Sequence, residues 1–282
     1  MKYPSEADRG PASAPGKRLR TLLLPLAVGA LLLAVLTLMA AETWKDYKST
    51  LISSQTQQME LVVQSISDSI RFSLEEYTDR LDAAADKLRE NPSQPLNLSR
   101  SDSLTDLWVE DAEGNIVYSR YGVRLVCDVL LTQDGKISYW QYHQGDHHYL
   151  VLKEPVDDRA VCLVVDSEAV YDQLVSDIHV GTNGYIVIKT ADNRIVMHPE
   201  SAQWGIDILE GRRKLYQQYE LDMSSLEELL AAQLAQPSGI MAYYSYWWTD
   251  PDLPRVQKIS AFRTLELGDS FWTVSAVVDY DD

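Results

Sequence analysis

The sequence predicts an α+β protein: an N-terminal transmembrane helix, a long stalk helix, then two small antiparallel-sheet units. Three observations lead there. A charge-free apolar run fills 21–41, a stretch without Gly or Pro and rich in helix formers follows to about residue 90, and the remainder alternates short β-type segments with Gly and Asp turns. The expected divisions are a basic tail at 1–20, a membrane span at 21–41, a stalk at 42–91, a first sheet unit at 92–170 and a second at 171–282.

Charge supports this order. The 282 residues carry a net charge of -17. Resolved along the chain it is +3 over residues 1–20, zero over 21–41 and -20 over 42–282. So acidic a chain is not expected to bind nucleic acid, whose affinity comes from Lys and Arg neutralising phosphates. Two cysteines exclude a disulfide-built scaffold and a Cys-rich zinc module.

The apolar run TLLLPLAVGALLLAVLTLMAA has 21 residues, and about 20 suffice to cross the hydrocarbon core. Pro25 falls in its first turn and Trp44 lies just past its far end, where interfacial aromatics gather. Lys17, Arg18 and Arg20 flank the near end, so the positive-inside rule puts the N-terminus in the cytoplasm and the bulk outside, a single-pass plasma-membrane arrangement. The competing reading is a cleaved signal peptide, whose apolar core of 7 to 15 residues is usually shorter.

From 43 to 90, apolar residues recur at Met59, Val63, Ile66, Ile70, Leu74, Tyr77, Leu81, Ala84 and Leu88, a mean period near 3.6. Such a helix would be about 70 Å long. It either stands as a stalk, where a homodimer can form along it, or packs on its own domain. Pro92 and Pro95 end it. A meander follows, with strands over 107–110, 116–121, 123–131, 137–143, 147–153 and 160–165 and a helix over 167–177.

The second unit opens with strands at 185–189 and 195–197 joined by a tight turn through Asp192 and Asn193. One long polar helical region is expected over 201–235, closed by Pro237, and three strands over 240–248, 256–263 and 271–279 complete the unit.

The segment GTNGYIVIKTADNRIVMHPE resembles the signature of the Cache family of extracellular sensor domains, PAS-like folds of bacterial receptors. Gly181, Gly184 and Tyr185 match its Gly-x-x-Gly-Tyr start, and His198-Pro199 its exit. The context resembles the double-Cache arrangement over about 43–282, with the first unit membrane-distal and the second membrane-proximal. Asn193 stands where the family usually has glycine, and Asn is the next-best residue for a positive φ. The first unit also lacks the helical insert that normally roofs the distal pocket. Tyr139-Trp140 lacks the arginine that amino-acid-binding members carry, which argues against an amino-acid ligand. The resemblance implies signal transduction with a kinase, cyclase or chemotaxis output, and no such module lies within these residues.

No Gly-x-Ser-x-Gly elbow, Walker loop or His-Glu-x-x-His occurs, so neither an enzyme nor a cofactor is expected. His143, His147 and His148 bracket one hairpin turn, but alternation turns 147 and 148 to opposite faces, so they read as solvated rather than metal-ligating. Cys127 and Cys162 are either a disulfide or buried free thiols, and His198 is expected to hold the strand exit. The best ligand candidates lie on the aromatic strand: Tyr243, Tyr246 and Trp247, with Asp250, Arg255 and Lys258 as polar groups and Trp204 closing the pocket from the helical crossing. The expectation is a membrane-anchored sensor for a small molecule. The alternative is an anchored surface-binding or assembly module whose exposed aromatics meet a protein or glycan.

Overall fold

The computed structural model describes residues 15–92, 96, 103–122, 124–175, 184–248 and 250–280. The chain divides after Gln55 into two bodies, Met1–Gln55 and Thr56–Asp282. Helix α1 (Pro15–Glu90) runs through the boundary. In the first body it holds Val28–Tyr47, a stretch with mean hydropathy 1.5 and long enough to cross a membrane.

In the second body every apolar position of the 3.6 stripe is buried, from Met59 through Leu81 to Leu88. The opposite face carries exposed Leu61 and Phe72. Residues 59–88 therefore pack on their own domain, as the second reading of the stalk held. The helix ends at Glu90, with Lys87 and Arg89 in its last turn complementing the carbonyl end of the helix dipole.

Six strands form the first sheet: β1 (Leu104–Glu110), β2 (Ile116–Ser119), β3 (Val126–Asp134), β4 (Ile137–Gln144), β5 (His147–Val156) and β6 (Arg159–Asp166). Their order is β2-β1-β6-β5-β4-β3, antiparallel throughout. The third strand starts at Val126, with 124 and 125 outside it, and its ladder with β4 is interrupted by two register shifts. Helix α2 (Ser167–Val175) follows directly, its start capped by the Asp166 carboxylate, which accepts the Ala169 amide at 3.0 Å.

The second sheet contains β7 (Tyr185–Thr190), β8 (Ile195–Met197), β9 (Ser238–Tyr246), β10 (Arg255–Leu267) and β11 (Ser270–Asp279), in the order β8-β7-β11-β10-β9. Asn193 turns the β7–β8 hairpin at φ 65°, as expected for Asn in the glycine position. The single helical region expected over 201–235 is instead a 3-10 turn (Ser201–Gln203), helix α3 (Glu210–Leu215) and helix α4 (Ser224–Ala235). Gly205 takes φ +76°, which ends the first turn. Aspartates then start each helix: Asp207 Oδ1 accepts the Leu209 and Glu210 amides, and Asp222 Oδ1 accepts the Ser224 amide.

One continuous core joins α1, the inner face of the first sheet and one face of the second, including Leu81, Leu107, Leu163, Ile188, Leu265 and Trp272. The two sheets are tied by Trp272, whose Nε1–H donates to Thr132 Oγ1 at 2.8 Å and whose ring meets Tyr139 edge-on. A second core lies on the other face of the second sheet, under α3 and α4.

Candidate functional site

The period-2 alternation of β7, β10 and β11 decides which side chains face that second core. Tyr185, Val187 and Lys189 from β7, Ser260 from β10 and Ser275 and Val277 from β11 form a floor, while Leu226, Leu229, Leu230 and Gln233 from α4 and Arg212 from α3 form a roof. They enclose a cavity of about 30 Å³, walled at its sides by Tyr243 and Trp248.

Three basic groups are buried here. The Arg212 Nε–H donates to Gln203 Oε1 at 2.8 Å, and its guanidinium lies 4.2 Å from the Trp248 ring centre. Lys258, fully buried, donates to Tyr185 Oη at 3.0 Å and to the Tyr246 carbonyl, and sits 3.9 Å from the Trp247 ring centre. The Lys189 ammonium donates to Asn193 Oδ1 at 3.0 Å. None of the three forms an ion pair with a described acidic residue. Burial works against their charges and outweighs the opposing pull of Asp192 on Lys189, Asp279 on Lys258 and Asp207 on Arg212. It draws the Lys189 pKa down to about 8. Lys258 falls to about 6 through burial and then the Arg212 charge. Arg212 is drawn down by burial.

Polar atoms at the cavity are incompletely paired as well. The Gln233 amide donates to Ser275 Oγ at 3.1 Å, but Gln233 Oε1 and Ser260 Oγ are buried with no partner among the described residues. Buried polar atoms are normally satisfied.

Outside this cavity lies an open cleft of about 300 Å³ bounded by Glu200, Leu215, Tyr216, Tyr219 and Asp250. Trp248 lines both spaces and separates them.

The structure distributes the candidates named from the sequence unevenly. Tyr243 lines the cavity, Lys258 lies beneath Tyr185 and Trp247 at its side, and Tyr246 is buried with its hydroxyl accepting the Asp222 amide. Asp250 belongs to the outer cleft. Arg255 is exposed, paired with Asp222 at 2.8 Å and lying over Tyr244. Trp204 does not close this cavity. It packs in the core shared by the two sheets, against His148 and Tyr171, and donates to the His198 carbonyl. Arg212, Lys189, Gln233 and Ser260 were not singled out by the sequence, since buried basic groups and orphan polar atoms show only once the chain is packed.

Of the signature residues, Gly181 lies outside the described residues, and Gly184 leads into β7. Tyr185 supplies the cavity floor. His198 is buried against Tyr185, and its Nδ1 accepts the Glu200 amide at 3.0 Å, holding the strand exit ahead of Pro199. Burial, Arg212 and Lys258 keep its pKa well below the usual range, so the ring is neutral.

Two of the three hairpin histidines are paired rather than merely solvated, while His148 is half-buried against Trp204 with its Nδ1 unpartnered among the described residues. His143 meets Asp128, and His147 bridges Asp166 at 3.0 Å and Glu168 at 2.9 Å. Cys127 and Cys162 are both free, and only Cys162 is buried, because Cys127 lies on the exposed run of β3.

No protein-family model and no curated protein sequence matches the chain. Solved structures do. The ligand-binding domain of the Pseudomonas fluorescens chemoreceptor CtaA, in complex with L-isoleucine, superposes with a TM-score of 0.53 at 13% identity, covering 83% of this chain and 96% of that one. The ligand-binding domain of the Pseudomonas aeruginosa amino acid chemoreceptor PctB, in complex with L-Arg, gives 0.51 at 14% identity over 84% and 97%. The extracellular domain of a provisionally assigned histidine kinase gives 0.53 at 14% identity over 82% and 96%. The chain thus has the fold of bacterial extracellular ligand-binding domains, a long helix carrying two antiparallel sheets, as the double-Cache resemblance implied.

Proposed function

We propose that this protein is a membrane-anchored extracytoplasmic sensor that binds a small molecule on the second-sheet unit and passes the event through α1. The carrying observation is the group of buried basic side chains around a cavity, none of them in an ion pair with a described carboxylate. Burying basic groups in this way costs stability, and a ligand that pairs with them offsets that cost. Tyr243 is assigned to the cavity wall, and Lys258 and Trp247 to the layer behind Tyr185 that supports it. Asp250 and Tyr246 border the approach past Trp248, and Arg255 holds that region through Asp222.

The fold likeness to receptor ectodomains supports the placement, with the basic tail of residues 1–20 cytoplasmic and the sheets outside. It also supports a role by binding rather than turnover, coupled to a kinase, cyclase or chemotaxis output, with a homodimer through α1 as the signalling unit. A ligand signals only if it binds one of two arrangements better than the other. The aromatic strand favours a pocket over an assembly surface: of the aromatics from Tyr243 to Trp248, only Tyr244 is exposed.

The test is a thermal-shift screen of the full chain in detergent against a broad metabolite panel. At least one compound is expected to raise the melting temperature saturably, and the shift should shrink in Tyr243→Ala. A flat panel would remove the sensor reading.

A further inference from the structure

Resting on that reading, we propose that the cavity between the second sheet and helices α3 and α4 binds a compact monovalent oxyanion, of the formate, acetate or nitrate class. Three features select this class.

The first is charge. The side chains that enter the site are cationic or neutral, and no described acidic residue lines the cavity. An amino acid or other zwitterion would leave its ammonium without a carboxylate partner, whereas a simple anion needs none. The CtaA and PctB complexes contain amino acids; this cavity has no acidic group to hold the amino end.

The second is donor geometry. Gln203 holds the Arg212 Nε, and among the described residues no acceptor takes Nη1 or Nη2. The flat face of the guanidinium is fixed by Trp248. A pre-oriented guanidinium edge matches two oxygens of a planar anion. The unpartnered Ser260 hydroxyl on the opposite wall supplies a further donor, and Lys189 supplies a charge from the floor.

The third is size. About 30 Å³ holds roughly two waters at the ~10–15 Å³ that each requires. That suits an anion of three or four heavy atoms and excludes a dicarboxylate or a free amino acid unless α3 and α4 separate.

Titration of the full chain in detergent with sodium formate, acetate or nitrate, at constant ionic strength set by sodium chloride, tests this. Acetamide, neutral and similar in shape to acetate, is the control. The expected result is a saturable melting-temperature rise with at least one oxyanion and none with acetamide. Arg212→Met should weaken that binding at least about tenfold, the usual consequence of losing a bidentate charged contact, and Ser260→Ala should weaken it severalfold. Should Arg212→Met fail to fold, Ser260→Ala and Lys189→Met carry the same comparison. The proposal is overturned if no oxyanion outperforms acetamide, or if the variants bind as the parent does. A panel in which only a larger neutral or zwitterionic compound binds defeats the anion assignment and leaves the sensor standing; a panel in which nothing binds defeats both.

Discussion

Lys258 shows most directly what burial does to one residue. Its pKa of about 6 in the folded chain lies far below the ordinary 10.5, so between those values the unfolded chain holds a proton that the native chain lacks. The native state is therefore penalised fully below about pH 6, and the penalty is relieved as pH rises toward 10.5. Comparing unfolding free energies of the parent and Lys258→Met should show the parent gaining on the variant with rising pH, by at most about 1.4 kcal/mol per unit. A pH-independent difference would mean that Lys258 keeps an ordinary pKa. Arg212 predicts a related outcome without ligand: Arg212→Met should unfold no more easily than the parent, since a buried cation without a counter-charge contributes little stability. Neither residue's burial was legible in the sequence. Arg212 sits in a polar stretch that reads as a solvated helix, and what buries it is Trp248, on a distant part of the chain.

At the scale of elements, α1 was the most legible. Its stripe from Met59 to Leu88 is a repeat of one side-chain property, and one-sided packing needs nothing more to declare itself. Leu81→Ala, at a position with no exposed surface, should cost about 2–5 kcal/mol in chemical denaturation, whereas Phe72→Ala, 71% exposed, should change stability by less than about 0.5 kcal/mol. The breaks between 201 and 235 were misread because composition there favours helix throughout. Gly205, Asp207 and Asp222 were the available signals, and short capped helices must be read from such punctuation rather than from propensity. The joint between the sheets has its own test. Thr132→Val leaves the Trp272 N–H buried without its acceptor, which should lower stability by about 1–3 kcal/mol. Gly268 adds to the same joint: at φ +57° any Cβ placed there would run into Asp134, so Gly268→Ala should also destabilise it.

For the whole molecule, the two-sheet plan was readable because its signature is local: a Gly-Tyr strand entry, an Asp-Asn hairpin and a His-Pro exit within twenty residues. The strand order of each sheet was not, since it depends on pairings between distant segments. Orientation can be checked with the native thiols. A membrane-impermeant maleimide should label exposed Cys127 in intact spheroplasts and spare buried Cys162, and Cys127→Ser should abolish the labelling. Labelling that appears only after lysis would reverse the assigned topology.

The second sheet's order carries a consequence for how the chain is made. Its central strand, β11, is the last of its strands to be synthesised. Until Phe271 to Asp279 emerge, β7–β8 and β9–β10 can exist only as two separate hairpins, each with a bare edge and an uncovered apolar face. Half-sheets of that kind are natural substrates for chaperones and prone to pair with neighbouring chains. Because Trp272 lies on the same strand, the clasp between the two sheets also closes only at that final step.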